Sequence, residues 1–418
     1  MKVSLDISKE KRSDVLVVGG GTAGVFAAIS SAKSGAKTLL IEKNSILGGT
    51  VTVANVNFPG LFFAWGEQII SGPCWEAIER TVALGGAVIP AISFRPEKHY
   101  HEQIRMNRFV YTAVLFEMCR EAGVEVITNA MVSAVEETTD GVSVVVTTKS
   151  GLLKIETEIV IDATGDANAV TMAGYPVEKS SVQQPATLQN HLSGYVYESV
   201  CEEDVERALK RAGLPEYITV KSLMHDLLRN KFDVHIPCHD ADTSEGKTQV
   251  EQQAYDLLLK IYRLCRTIPN LENLTIDFIA EETGIRESNR IVGEDCITAE
   301  DYINGRMYPD AVCYAFYPID LHVMKGIEQR FHKEHVVSKV PYGALIPKTS
   351  KRVICAGRCI ASDTYANSGI RVEAVCMATG QVAGCAAAIA SKTHVMLKDV
   401  AIETLCEKLE MIGAVVPK

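Results

Sequence analysis

The sequence predicts an α/β fold in which a doubly wound parallel sheet carries an inserted antiparallel β-meander and is joined to a second, α+β domain. Three observations lead to this fold class. A strand–glycine–helix–strand unit stands near the start, at Ser13–Lys43. Two later strands also end at glycine, in Ala163–Asp166 and Ala356–Arg358. Polar turns separate three short alternating strands just before the first of these. A chain of 418 residues has room for two domains that share a large core.

The first unit begins with the apolar run Val15–Val18, which is short enough to be a buried parallel strand. An alanine-rich helix follows and ends at Ser34-Gly35, because glycine is the usual residue just beyond a helix. Thr38–Ile41 is predicted to be the second strand, with Glu42 at its carboxyl end. The order of these elements is that of a dinucleotide-binding βαβ unit.

The glycines between the first strand and the helix have G-x-G-x-x-G spacing. Gly19 makes the tight turn, Gly21 lets the backbone approach a pyrophosphate, and Gly24 packs the helix on the strand. The helix N-terminus offers free N–H groups and a partial positive charge to the phosphates. Glu42 would accept hydrogen bonds from a ribose and disfavours a 2′-phosphate, so this unit predicts FAD or NAD rather than NADP.

Composition and charge argue against several classes of protein. The net charge of −10 argues against a general nucleic-acid-binding protein. The polar N-terminal segment 1–14 lacks the apolar core of a signal peptide, so we expect a cytoplasmic protein. The twelve cysteines form no C-x-x-C pair, which predicts reduced thiols and no metal site. Polar and glycine residues interrupt Ala374–Ala390, which favours a buried helix over a membrane span.

The remaining elements follow from periodicity and turn residues. Predicted helices are Trp75–Leu84, Phe109–Ala122, Glu202–Ala212, Thr248–Arg266 and Ile370–Ser391. Predicted strands are Val124–Thr128, Val132–Thr138, Val142–Thr148, Leu153–Glu156, Ile159–Asp162, Ile276–Ile279 and Val353–Cys355, and Ala186–Tyr197 is a candidate strand crossing to the second domain. We assign residues 1–60, 100–180 and 340–418 to the dinucleotide-binding domain, and residues 61–99 and 181–339 to a substrate or cap domain.

The segment Arg95–Arg108 is rich in basic residues. They are Arg95, Lys98, His99, His101, Arg105 and Arg108. A run of basic residues is usually a solvated basic surface. The more specific alternative is a binding pocket for a carboxylate substrate.

Three glycine-marked strand ends favour FAD over NAD. In doubly wound sheets ligands bind at the carboxyl ends of the strands, and an NAD dehydrogenase needs only the first of the three turns. Contacts at Ala163–Asp166 and Ala356–Arg358 suit the longer FAD.

Four motifs carry a resemblance to a known family. They are GIRES-x-RIVGE at Gly284–Glu294, YPIDLH at Tyr317–His322, an LIP-containing motif at Val340–Pro347, and AGRCIASD…RV…CMATGQ-AG at Ala356–Gly384. On these motifs the chain resembles the FAD-dependent oxidoreductases with a glutathione-reductase-type FAD fold, in a bacterial branch whose members mostly have no assigned substrate. The resemblance implies an FAD enzyme that transfers a hydride.

The resemblance also implies a set of cofactor-binding residues. They are Gly19, Gly21, Thr22, Ala23, Gly24, Glu42, Lys43, Gly49, Thr50, Val132, Ala163, Thr164, Gly165, Asp166, Gly357, Arg358, Asp363, Gly369, Ile370 and Arg371. Many relatives carry aspartate where this chain has Arg358, and Asp363 is the candidate substitute. Typical members also have arginine at the position of Asn289.

We expect the last predicted helix, Ile370–Ser391, to influence the redox chemistry of the flavin. We predict that it begins near Ile370, that Asn367 or Ser368 caps it, and that its first N–H groups face the pyrimidine edge of the flavin. A helix N-terminus there stabilises the negative charge of the reduced ring.

Proton transfer needs an acid or base beside the flavin. His322 ranks first because a family motif surrounds it, and Tyr317, Arg286, His191 and Arg290 are further candidates. We expect the two arginines to serve structure, through ion pairs with Glu287 or Glu294. The residues of Arg95–Arg108 remain the candidate binding site for an acidic substrate.

The leading prediction is therefore an FAD-dependent dehydrogenase, oxidase or reductase that acts on a small organic metabolite, with an acidic one as an option. The alternatives are a flavoprotein with net non-redox isomerase or hydratase chemistry, and an NAD-binding dehydrogenase. No cysteine pair follows Gly49, and no second G-x-G-x-x-G unit is present. The electron donor or acceptor could thus be the substrate, a protein or transient NAD(P)H. We expect no membrane or nucleic-acid partner, and a homo-oligomer stays open.

Overall fold

The computed structural model describes residues 7–96, 98–210, 212–324 and 326–418. Residues 1–6 lie outside the described residues. They belong to the segment 1–14, in which we expect no signal peptide. The strands are β1 Ile7–Val18, β2 Thr38–Glu42, β3 Phe63–Ala64, β4 Glu67–Gln68, β5 Glu125–Thr128, β6 Ala130–Glu137, β7 Val142–Thr148, β8 Gly151–Asp162, β9 Val177–Glu178, β10 Ala186–Leu188, β11 Asn190–Ser193, β12 Val234–Ile236, β13 Thr275–Ile279, β14 Arg290–Ile291, β15 Ala311–Ala315, β16 Ile319–Val323, β17 Gly326–Arg330, β18 Ser338–Pro341 and β19 Val353–Cys355. The helices are α1 Thr22–Lys33, α2 Pro73–Ala83, α3 Arg108–Glu121, α4 Asn168–Met172, α5 Glu202–Leu209, α6 Val220–Leu228, α7 Ser244–Cys265, α8 Ala299–Asn304, α9 Thr364–Ile370, α10 Glu373–Thr393 and α11 Ile402–Met411.

The main sheet is the predicted doubly wound α/β sheet. Its strands run in the order β5-β2-β1-β8-β7-β6, and β19 pairs with the end of β8. The pairs β5–β2, β2–β1, β1–β8 and β8–β19 are parallel. In register, Val18 pairs with Ile41 on one side and with Asp162 on the other, and Asp162 pairs with Cys355. The carboxyl ends of four strands therefore meet at one edge.

The meander is confirmed, with one correction. Strands β6, β7 and β8 pair antiparallel. The two strands predicted at Leu153–Glu156 and Ile159–Asp162 are one continuous strand, β8. Its first half pairs with β7 and its last residues pair with β19. No glycine or proline stands at Thr157-Glu158 to end the strand, so the alternating half continues into the fully buried half.

The long C-terminal helix lies behind the sheet against α1, and its predicted start is wrong. The chain forms two helices, α9 and α10, separated by extended backbone at Val372. Asp363 caps α9, whereas Asn367 and Ser368 lie inside it and cap nothing. Helix α10 is long and apolar enough to cross a membrane by length and composition, but 94% of its most apolar window is buried inside the structure. Its packing is that of the predicted core helix.

A second hydrophobic core forms between residues 186 and 280, around α5, α6, α7 and the strands β10–β13. The predicted strand Ala186–Tyr197 is wrong in extent, because β10 and β11 are short and pair in different two-stranded sheets. Helix α6, which we did not predict, begins at a capping box formed by Thr219 and Ser222. The domain boundaries stay a prediction, although residues of 61–99 such as Phe62 and Ile78 pack in the first core.

Candidate active site

One cavity of about 510 Å³ lies at the carboxyl ends of β1, β2, β8 and β19, between the two cores. Ligand sites in doubly wound sheets occur at this edge. Its walls come from both cores, because residues near Thr187 and Thr283 face the strand ends across the opening. The cavity brings most of the predicted site residues together.

The glycine turn forms one wall. Gly19, Gly21, Thr22 and Ala23 line the cavity. Gly19 has φ +104°, and a Cβ there would lie 2.5 Å from the Ala163 carbonyl oxygen. Gly24 lies behind the wall, where a Cβ would be 1.8 Å from the Gly19 oxygen. No side chain caps α1 at Gly21, so the first N–H groups of the helix are left for a ligand.

Glu42 stands where the sequence predicts the ribose acceptor. Its Oε2 accepts a hydrogen bond from Gly20 N at 2.6 Å, and its Oε1 accepts one from Asn44 N at 2.7 Å. Burial raises its pKa. Each oxygen keeps a further lone pair for a hydroxyl. Lys43 also lines the cavity and pairs with Glu282 at 2.9 Å, and Val132 lines the same end.

The two later strand ends approach the cavity together. Ala163, Thr164, Gly165, Asp166 and Gly357 line it, as do Gly49 and Thr50 from the loop after β2. A Cβ on Gly49 would lie 2.7 Å from the Gly21 Cα, so these two backbones leave no room for a side chain between them.

Arg358, the residue that departs from the usual aspartate, is bound to its neighbours. Its Nη2 lies 2.5 Å from Asp166 Oδ1, and its Nε donates to Gly165 O at 2.7 Å. Asp166 therefore balances the charge of Arg358 at the cavity wall.

Besides Gly24, three predicted cofactor residues do not line the cavity. Asp363 accepts hydrogen bonds from Ala366 N at 2.7 Å and from Ala299 N at 2.6 Å, so both of its oxygens are used in capping and anchoring. Gly369 packs against the ring of Tyr302, and Ile370 is buried in the core. The cause is the break between α9 and α10, which places Arg371, Val372 and Glu373 at the cavity instead.

The first-ranked acid/base candidate, His322, lies in the cavity on β16. Its Nε2 is 3.0 Å from Asp320 Oδ2, and Asp320 Oδ1 accepts from Gln329 Nε2 at 2.7 Å. Burial opposes ionisation of Asp320, but hydrogen bonds from His322 and Gln329 hold its pKa below the usual range. Burial, together with Arg286 and Arg371, lowers the pKa of His322 although Asp320 opposes this. His322 is therefore neutral near pH 7.

Tyr317 and Arg286 also line the cavity, whereas His191 and Arg290 do not. The Tyr317 hydroxyl accepts a hydrogen bond from Gln103 Nε2 at 3.1 Å, and burial raises its pKa. His191 is exposed and pairs with Asp277 at 2.8 Å.

Of the two arginines that we expected in structural ion pairs, only one forms such a pair among the described residues. Buried Arg290 lies 3.5 Å from Glu287. Arg286 pairs with neither Glu287 nor Glu294, and it donates instead to Pro185 O and to Thr187 Oγ1. The expectation for Arg286 is therefore wrong.

The basic segment does not form a pocket at this cavity. Of its residues, Gln103 lines the cavity. Arg95 pairs with Glu334 at 3.5 Å on the surface, and Arg108 binds both oxygens of Glu281 at 2.6 and 2.7 Å. None of the six basic residues of Arg95–Arg108 lines the cavity, and two of them are paired with the chain's own acids, so the carboxylate pocket suggested for this segment is not at the cavity.

Sequence reasoning missed several cavity residues. Asp320 stands within the YPIDLH motif and Glu373 directly follows Arg371-Val372, so their motifs held a signal that we did not use. Burial raises the pKa of Glu373, the first residue of α10, to about 7. Thr187, Lys247 and Thr283 come from the second core, and no local pattern marks them.

A parallel sheet whose glycine turns and acidic strand end surround one cavity defines a dinucleotide-binding protein. The site fits FAD: the glycine cradle leaves no room for side chains, the N-terminus of α1 is uncapped, and the later strand ends extend the cavity beyond the first turn. Residues 14–409 match the family described as FAD dependent oxidoreductase. The chain belongs to this family, is an enzyme of this class and uses FAD, which sets aside the NAD alternative.

Individual relatives match over shorter stretches. A digeranylgeranylglycerophospholipid reductase of Methanocaldococcus jannaschii is 30% identical over 178 residues, which is 41% of this chain and 42% of the relative. A fumarate reductase (cytochrome) of Shewanella frigidimarina is 49% identical over 55 residues, 13% of this chain and 9% of the relative. Among solved structures, a geranylgeranyl bacteriochlorophyll reductase-like protein of Thermoplasma acidophilum has a TM-score of 0.48 at 13% identity, covering 96% of this chain and 83% of its own. These matches leave the substrate open.

Proposed function

We propose that this enzyme transfers a hydride between its FAD and a small organic metabolite, while His322 takes up or releases the accompanying proton. The observation that carries the proposal is the His322–Asp320 hydrogen bond of 3.0 Å in the wall of the cavity. FAD, when bound, accepts or gives a hydride at its N5 atom. The residues of the chain must then bind the substrate and exchange a proton with it.

The tautomer of His322 follows from its partner. The Asp320 carboxylate can only accept, so the Nε2 of His322 carries the hydrogen and Nδ1 is left as an acceptor. Among the described residues, no group forms a hydrogen bond with Nδ1. A neutral imidazole with a bare nitrogen is a general base at pH 7, and Asp320 stabilises the imidazolium that forms.

Asp320 is itself held in place on two sides. Gln329 Nε2 donates to its Oδ1, and the Ser368 hydroxyl accepts from its backbone N–H at 2.9 Å. These contacts fix the orientation of the carboxylate relative to His322, as a base of this type requires.

Anaerobic reduction of the bound flavin tests this proposal. The purified holoenzyme is mixed with a panel of small hydroxy acids, amino acids and alcohols, and bleaching of the visible flavin spectrum is followed. For a metabolite that bleaches the wild type, His322→Asn is expected to slow bleaching at least about 100-fold while the protein keeps its FAD.

His191→Asn is the matched control, because His191 also hydrogen-bonds an aspartate but lies on the surface. This variant should bleach like the wild type. Bleaching of His322→Asn at the wild-type rate would refute the role of His322. Turnover without any electron acceptor, and without bleaching, would instead favour the isomerase or hydratase alternative.

We also propose that the enzyme works in the cytoplasm. All twelve cysteines are free thiols in the structure, which supports a reducing compartment. Fractionation of the native cells, followed by immunodetection, tests this proposal.

A further inference from the structure

Four arginines lie in or near the cavity, and they differ in how their charges are balanced. Arg290 is buried, whereas Arg286, Arg358 and Arg371 are partly buried. Arg358 lies 2.5 Å from Asp166, and Arg290 lies 3.5 Å from Glu287. Among the described residues, no carboxylate lies within ion-pair distance of Arg286 or Arg371. A guanidinium that is partly removed from water and has no ion-pair partner loses part of its hydration, and the cavity wall holds two such groups.

Neutral oxygen atoms fix both side chains. Arg286 Nη1 donates to Pro185 O and, at 2.9 Å, to Thr187 Oγ1. Arg371 Nη2 donates to the backbone carbonyl of Asp320 at 3.2 Å. These hydrogen bonds orient the guanidinium groups but leave their charges unbalanced. The Nη1 of Arg371 is buried and has no hydrogen-bond partner at all in the described part of the chain.

The acids nearby balance only part of this charge. Asp320 is hydrogen-bonded to the neutral His322 and Gln329, so it keeps its negative charge, which attracts both arginines from beyond ion-pair distance. Glu287 also attracts Arg371, but it is paired with Arg290. Burial and the repulsion from Arg371 both lower the pKa of Arg286. Glu373 holds its proton near neutral pH because of burial, so it adds at most part of a negative charge. The end of the cavity that holds His322 is therefore short of negative charge.

We propose that the substrate is a small organic acid whose carboxylate binds between Arg286 and Arg371, beside His322. This inference rests on the proposed function, because it names the substrate class of the same site. Guanidinium groups bind carboxylates through paired, charge-assisted hydrogen bonds, and Arg371 Nη1 has a donor to give. We expect the carbon atom next to this carboxylate to be the one that reacts, since His322 lines the same end of the cavity. The carboxylate pocket thus lies at Arg286 and Arg371 rather than at Arg95–Arg108.

The test measures anion binding to the holoenzyme without turnover. Oxalate, glycolate and succinate are titrated against the protein, and binding is followed by the perturbation of the visible flavin spectrum and by calorimetry. Oxamide, glycolamide and succinamide, which lack the charge, are the matched ligands. At least one of the three acids is expected to bind, and its amide is expected to bind at least about tenfold more weakly.

Variants identify the residues that bind the acid. Arg286→Gln and Arg371→Gln should each weaken the acid roughly tenfold or more, and Arg286→Lys should retain part of the affinity because it keeps the charge. Retained FAD and an unchanged melting temperature establish that each variant is folded. Arg95→Gln is the control, because Arg95 is an exposed cation of the basic segment that does not line the cavity. It should bind acids like the wild type.

Several outcomes would overturn the inference. The first is equal affinity of the wild type for acids and amides. The second is wild-type affinity for acids in both Arg286→Gln and Arg286→Lys. The third is a loss of affinity for acids in Arg95→Gln as large as the loss in the Arg286 variants. A shifted flavin potential in Arg371→Gln with unchanged acid affinity would remove Arg371 from the pocket. Flavin bleaching only by uncharged metabolites would leave the proposed function standing and refute the acid. Failure of any metabolite to bleach the oxidised flavin, together with failure of any metabolite to reoxidise the chemically reduced flavin without oxygen, would refute the proposed function, while calorimetry would still report acid binding.

Discussion

The packing of α10 on α1 predicts two distinct effects for one type of mutation. A Cβ added at Gly380 would lie 2.2 Å from the carbonyl oxygen of Ala23, and a Cβ added at Gly384 would lie 2.2 Å from that of Ala27. Carbon and oxygen atoms in contact are normally more than 3 Å apart, so α1 must move away by about 1 Å in either variant. Both contacts are to backbone, which cannot rotate aside.

We expect Gly380→Ala and Gly384→Ala each to lower the free energy of unfolding by about 1–3 kcal/mol, the usual range for overpacking a core. The gain in helix propensity on replacing glycine by alanine, up to about 1 kcal/mol, offsets part of this loss. Thermal melting and urea unfolding measure the change.

The two variants should differ in cofactor binding. Ala23 lines the cavity at the glycine turn, whereas Ala27 does not. Movement of α1 at Ala23 displaces the turn, so Gly380→Ala should weaken FAD binding more than Gly384→Ala at a similar loss of stability. FAD fluorescence quenching on titration of the apoprotein measures this difference. Equal FAD affinities in the two variants, or no loss of stability in either, would refute the idea that this close approach positions the turn.

Three further predictions concern single buried groups. Glu42→Gln should weaken FAD binding about tenfold or more. Because burial raises the pKa of Glu42, the affinity of the wild type for FAD should fall as the pH drops and Glu42 takes up a proton, and equilibrium titrations of both proteins over a series of pH values measure this. Burial and Asp233 raise the pKa of Asp226 from 3.8 to about 7, so the native state loses stability as the pH rises from about 4 to about 7. Asp226→Asn removes this loss, and should therefore raise the melting temperature more at pH 8 than at pH 5. A larger gain at pH 5 would contradict this. Arg290→Gln leaves Glu287, which is 1% exposed, without its ion-pair partner, and should lower the free energy of unfolding in urea by about 3 kcal/mol or more. Arg108→Gln breaks an exposed ion pair, and should lower this free energy by less than about 1 kcal/mol.

Local patterns predicted the elements around the cofactor well. The helix after Gly19, the strand ending at Glu42, the hairpin turns of the meander and the strand Val353–Cys355 all follow from nearest-neighbour signals such as glycine at a turn or an apolar run. The errors occurred where a long-range pairing overrides a local signal. β8 stays one strand because β1 pairs along most of its length, and no short window contains that information.

Some features of the active site follow from the sequence, and others depend on the tertiary structure. The sequence alone determined the fold class, the use of FAD and the candidacy of His322, because a glycine turn, a strand end and a family motif are each contiguous in the chain. Only the tertiary structure decided which charges are balanced. Arg286 and Arg290 are four positions apart and indistinguishable by pattern, yet Arg290 meets Glu287 and Arg286 meets the cavity. Charge compensation depends on distances of a few ångströms between side chains, and those distances exist only once the chain has folded and the two cores have packed together.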